Sequence, residues 1–241
     1  SPFLSGLASF GITESWGIGW LGFHCAFLLR YSETGRFRSA VGAALCLIAY
    51  LLTGWYSAFF AVVAEGCVLL TLWRRGRLRL GVWLQGAVAA AVVFPRLMGF
   101  WADRSFWADR WVGAPTPLEG QWEAWRELPR SGADLLNLIL PSVGSVAVSK
   151  SVYLGLLVLV LAVLAGRAAR VVVLWSLPFL VLALGTHLMV AGHQSFFGVH
   201  VALPAEWIRE FFAPMEGLTH WYRALGPAVL FLSVAAALGV D

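Results

Sequence analysis

Apolar stretches broken by short arginine-bearing loops dominate the chain. Residues 30–38 read RYSETGRFR, residues 74–79 read RRGRLR, and residues 166–170 read GRAAR. The runs between them are long enough to matter, because a helix crossing a bilayer needs about 20 mostly apolar residues. The first such run extends from about Ile12 to Leu29. The second, Ser39–Trp73, is 35 residues long. As one helix it would measure about 52 Å, against a hydrocarbon core of about 30 Å. It is therefore expected to fold back on itself at Thr53-Gly54-Trp55-Tyr56-Ser57, where glycine permits the reversal and the aromatic residues suit an interface.

Charge tests that split. Two helices put loops 30–38 and 74–79 on one side, whereas a single helix would separate two loops that are both rich in arginine. Further spans are predicted at Leu80–Phe100, Val152–Gly166, Val171–Ala191 and Ala224–Val240. Seven spans result, with the first running outside to inside. The inner loops then hold nine arginines against one acid, Glu33, and the outer segments hold eight basic residues against nine acids. The fold class expected is all-α. It is a polytopic transmembrane bundle of about seven spans, one domain over residues 1–241, with long outer loops 96–151 and 192–223 containing interfacial helices.

Composition agrees with this reading. Hydrophobic residues make up 60% of the chain and charged residues 12%, against about 45–50% and about 25% for a soluble domain. The net charge of +4 sits in span-flanking loops rather than on one amphipathic face, which excludes a nucleic-acid partner. Cys25, Cys46 and Cys67 all fall inside apolar runs, so no disulfide framework or zinc pattern is offered. No signal-peptide pattern is visible at the start. The opening SPFLSG and the close on GVD directly after an apolar run read as a piece of a longer protein.

Few residues are candidates for chemistry. Glu65 lies near the middle of the third span, where an acid costs about 2.5–3.5 kcal/mol to insert and marks a function by default. The alternative is a protonated carboxyl bonded to a neighbouring helix at Gln85, His24 or His187. In the outer segments a tandem repeat, FWADRS then FWADRW, carries Asp103 and Asp109. It reads as an interfacial helix with aromatic anchors, or as a lid over a lipid-linked substrate. Arg223, at the entrance to the last span, is either an interfacial anchor or a clamp for an anion, since a guanidinium binds phosphate in bidentate fashion. Arg96, Arg104, Arg110 and Arg130 could act likewise. The outer histidines His193, His200 and His220 show no metal-ligand spacing. No cofactor is evident, and a divalent metal is left open only for the full-length protein.

Three stretches resemble the YfhO-like polytopic membrane proteins of bacteria, which share the GT-C glycosyltransferase architecture. Leu51–Phe60, reading LLTGWYSAFF, is similar to their aromatic turn between two spans. Ser131–Leu136, reading SGADLL and leading into Leu140-Pro141-Ser142, is similar to a segment of their long outer loop, with Tyr153-Leu154-Gly155 opening the next span. Leu203-Pro204 leading to Arg223 is similar to the loop before a late span. The match departs at Thr219 and Trp221, so that an arginine clamp rests on Arg223 alone.

The resemblance implies part of an integral membrane glycosyltransferase in the bacterial cytoplasmic (inner) membrane. It would transfer a sugar from a polyprenyl-phosphate carrier to an extracytoplasmic acceptor. Its partners are membrane lipid and the lipid-linked sugar. Its substrate contacts would come from Tyr56, Arg96, Asp103, Asp109, Asp134 and Arg223. The catalytic base of such enzymes lies in an early outer loop that has no counterpart in this chain. The competing expectations are a transporter or non-catalytic component handling lipid-linked glycans, or an inactive truncated fragment.

Overall fold

A computed structural model describes residues 14–111, 133–139, 156–190, 195–196, 199–211 and 221–238. The described chain is helical but for one small hairpin. The helices are α1 (Glu14–Thr34), α2 (Phe37–Leu51), α3 (Trp55–Arg74), α4 (Leu80–Trp111), α5 (Leu135–Ile139), α6 (Leu156–Leu164), α7 (Gly166–Ala183), α8 (Pro204–Phe211) and α9 (Leu225–Ala237), the last entered through a 3₁₀ turn at Trp221–Ala224. The strands β1 (Ser195–Phe196) and β2 (Val199–His200) pair antiparallel. Helices therefore stand at all seven positions where apolar runs predicted them. Among the described residues one helix, Tyr56–Arg74, is by itself long and apolar enough to cross a bilayer; the apolar helical stretches Phe37–Leu51, Leu80–Pro95, Ala169–Ala183 and Trp221–Ala237 are shorter.

Turn chemistry explains where the helices stop. At the end of α3 the Gly76 N–H bonds to the Trp73 carbonyl at 2.9 Å and the Arg77 N–H to the Leu72 carbonyl at 2.9 Å, with Gly76 at φ 62°. This is the paired-bond cap that only a left-handed residue closes without strain, hence glycine. The reversal between α2 and α3 works differently from the expectation. Gly54 is extended, with φ 169°, and its freedom is not used. Thr53 makes the turn instead: its hydroxyl donates to the Tyr50 carbonyl at 2.6 Å and meets the Ser57 hydroxyl at 2.9 Å.

Packing shows how the elements run. α1 and α2 form an antiparallel hairpin, with Gly17 against Thr53 near one end and Gly42 against Phe27 farther along. An added Cβ at Gly17 would clash with the Thr53 side chain, and one at Gly42 would sit 3.2 Å from the Phe27 ring, a tight contact. α4 lies mainly on α2, while α3 packs on α1, α2 and α7, and α9 fills the space between α1, α6 and α7. Phe60, Phe179, Phe231 and Trp175 stack through the centre of that second group. Trp175 also donates its indole N–H to the Thr71 hydroxyl at 2.9 Å.

The arginine loops meet at one end. Arg77 pairs with Glu33 at 3.4 Å, and the bond from Trp175, midway along α7, to Thr71 near the end of α3 directs the first half of α7, with Arg170, toward the same end. Two helices differ from their predicted bounds. α4 does not end at Phe100 but continues as one helix of 32 residues through Pro95 and the FWADR repeat, so no separate interfacial helix starts there. α7 begins at Gly166 and stops at Ala183, eight residues short of the predicted Ala191. Gly185, at φ 84°, turns the chain out of the helix, and residues 186–190 run extended beside 199–203.

Candidate functional site

Two polar assemblies interrupt the apolar packing. One lies at the end of the bundle opposite the arginine loops, and the other lies deep between helices.

At the far end, the start of α3 and the 3₁₀ turn before α9 come together. The Arg223 guanidinium carbon sits 4.5 Å from the centre of the Tyr56 ring, within the range of a cation–π contact. Trp221 packs edge-on against Phe59 at 5.8 Å and is almost wholly buried, yet its indole N–H has no hydrogen-bond partner among the described residues. Asp134 reaches the same end through its neighbour, because the Ala133 N–H bonds to the carbonyl of Ala183, the last residue of α7. Asp134 is buried, and its carboxylate accepts from the Leu136 N–H at 2.8 Å, capping α5.

Tyr56, Arg223 and Asp134, singled out separately in the sequence, are thus gathered at one end. Arg96, Asp103 and Asp109 are placed on α4 by its backbone alone, and their side chains lie outside the described residues. So do residues 131–132, 140–142, 153–155, 193, 216 and 220, which carry parts of the SGADLL segment, the start of the next span and several outer histidines and acids.

The deep assembly is built on Glu65, halfway along α3. Its Oε1 lies 2.9 Å from His24 Nε2 on α1 and accepts a hydrogen bond from Gln85 Nε2 on α4 at 2.9 Å. His24 Nδ1 faces the Ala43 carbonyl of α2 at 2.9 Å. Four helices therefore contribute to one polar cluster in which His24 is wholly buried and Gln85 nearly so. Of the three partners expected for Glu65, His24 and Gln85 are present. His187 is not, because α7 ends before it, and its ring instead sits edge-on to His200 with centroids 6.0 Å apart. That histidine pair belongs to the extended segments after α7. Among the described residues no three His, Cys, Asp or Glu side chains gather as a metal-binding group.

Two features escaped the sequence reading. The buried Trp221 N–H, without a partner among the described residues, has no local signature, since any interfacial tryptophan looks the same. The Ala43 carbonyl that orients His24 is a backbone atom and carries no side-chain signal. Compared with known protein families, curated proteins and solved structures, the chain has no match.

Proposed function

We propose that the chain is a polytopic bundle embedded in the bacterial cytoplasmic membrane, and that its outer end binds the phosphate–sugar head of a polyprenyl-linked donor as part of a glycosyltransferase. The bilayer placement draws on the surface. Phe23, Leu45, Val62, Leu70, Leu84, Val88, Val163 and Leu177 are exposed, while Glu65, His24, Gln85 and Ser176 face inward. Water would disfavour so large an apolar exterior, whereas lipid accepts it and drives polar groups inward.

The observation that carries the substrate reading is Arg223 held against Tyr56 at 4.5 Å, beside the unpartnered Trp221 N–H. A guanidinium fork matches the oxygens of a phosphate in bidentate fashion. An indole N–H is a donor suited to a sugar hydroxyl or phosphate oxygen. The transfer step itself is supported only by the resemblance to the GT-C proteins. Arg223→Ala and Asp134→Ala in the intact protein are expected to reduce glycan transfer by at least tenfold, about 1.4 kcal/mol in transition-state binding, with membrane insertion unchanged. Full activity in both variants removes the outer-end site.

A second reading, a transporter or a non-catalytic component handling lipid-linked glycans, gains support from His24. Intramembrane acids in transporters pair with other ionisable groups near mid-depth, and His24 lies 2.9 Å from Glu65. Complete loss of function in Glu65→Gln, with native folding and insertion, would favour this reading over transfer.

A further inference from the structure

The deep cluster lies apart from the Arg223–Tyr56 contact, and its hydrogen count is informative. His24 Nδ1 faces a carbonyl oxygen at 2.9 Å. A carbonyl only accepts, so Nδ1 carries a hydrogen. The other ring nitrogen, Nε2, faces Glu65 Oε1 at 2.9 Å. With Glu65 ionised and His24 neutral, two lone pairs would oppose each other and an uncompensated charge would sit in a water-poor interior, which is costly. One proton between them removes both penalties. Placed on the carboxyl it leaves two neutral groups, and placed on the ring it leaves a neutral ion pair.

The contact is short but does not form a well-aligned hydrogen bond, so the proton is not locked in a linear bridge. Gln85 donates to the same oxygen, and its own Oε1, almost fully buried, has no partner among the described residues. The Glu65 side chain keeps 17% exposure. Neighbouring Gly66 and Gly86 leave space, since a Cβ added at either would meet nothing within 4 Å.

We infer that Glu65, His24 and Gln85 form an intramembrane site that binds and releases one proton. Loading takes the proton of a hydronium ion onto the Glu65–His24 pair and leaves a water molecule; release is the reverse, with no electron transfer. The surroundings are otherwise poor in charge. α1 adds the Cys25 thiol and α3 the Cys67 thiol. α2 adds the Ala43 carbonyl, and α9, packed on α1, has no ionisable side chain from Leu225 to Ala237. α7 presents Phe179 and Trp175 to α3. An imidazole pinned through Nδ1 suits a proton better than an alkali cation, which prefers oxygen ligands. The inference rests on the bilayer placement and not on the transfer reading.

The test is an infrared pH titration of the intact protein in lipid nanodiscs, with and without sodium ions. The native-minus-Glu65→Gln difference spectrum, in which the other acids and histidines cancel, is expected to show a pH-dependent one-proton change in carboxyl and imidazole bands. His24→Gln and Gln85→Leu should each shift its midpoint by roughly one pH unit, a tenfold change in proton affinity. A difference spectrum that does not change with pH, or a midpoint that moves with sodium, overturns the proposal, the latter in favour of a cation site. If Glu65→Gln does not fold, modification of native Glu65 by a lipid-soluble carbodiimide, read by mass spectrometry, replaces it. Modification should fall as pH rises, and a pH-independent yield sinks the idea. Glycan transfer is not the readout, so failure here leaves the outer-end site standing.

Discussion

At the scale of single residues, what matters is which polar atoms find partners inside an apolar bundle. Trp175 and Thr71 illustrate the rule: the indole N–H of α7 donates to the hydroxyl of α3 at 2.9 Å, ties two helices and leaves neither group orphaned. Thr71→Val keeps the shape and removes the acceptor, so the buried N–H loses its bond. A cost of about 1–3 kcal/mol is expected, visible as a lower midpoint in thermal unfolding of the detergent-solubilised protein. Trp175→Phe in the Thr71→Val background should recover part of it, because removing both partners costs less than stranding one. Glu65 could be recognised as unusual from its position alone. Its partners could not be chosen among Gln85, His24 and His187 without knowing where α7 stops.

At the scale of elements, caps and close approaches decide the layout. Gly76 holds the α3 cap at φ 62°, with space around it. Gly76→Ala meets no neighbour and should cost only the left-handed strain of about 1–2 kcal/mol, read as a drop in thermal stability without change in helicity. Gly42→Leu has a different cause, since its side chain must displace the Phe27 ring 3.2 Å away. It should part α1 from α2 and lower stability by more than Gly76→Ala in the same assay. The hydropathy pattern located both helices of the Ser39–Trp73 run, and the reversal occurs where expected. The mechanism was misassigned, because Thr53 closes the turn by hydrogen bonding while Gly54 stays extended. The run-on of α4 was also hidden. Pro95 and Arg96 look like a helix boundary, yet a proline costs a helix one bond and need not end it when neighbouring turns persist.

At the scale of the whole molecule, the helix ends sort into two sets. Glu33 beside Arg77 joins the first and third connections, and Arg223 over Tyr56 marks the opposite end. In a bilayer these become two faces. In a variant lacking Cys25, Cys46 and Cys67, single cysteines at Arg36 and Gly76 should react with an impermeant maleimide from one side of sealed vesicles. One at Leu52 should react only from the other. Labelling of all three from the same side rules out the membrane topology.

The order of apolar and charged residues determined, by itself, where the helices lie, that the arginine loops share one end, and that Glu65 occupies a place where an acid needs a partner. Those properties are local or nearly so: helix length, turn chemistry and charge at the ends are written into consecutive residues. Only the tertiary structure decided that Glu65 meets His24 and Gln85 rather than His187, and that Arg223 rests on Tyr56 at the same end of the bundle as Asp134. Such meetings depend on the rotation of each helix about its axis and on which helices become neighbours. Both are set by packing of small residues such as Gly17 and Gly42 and by the aromatic stack of Phe60, Phe179 and Phe231, across separations that no periodicity along the chain encodes.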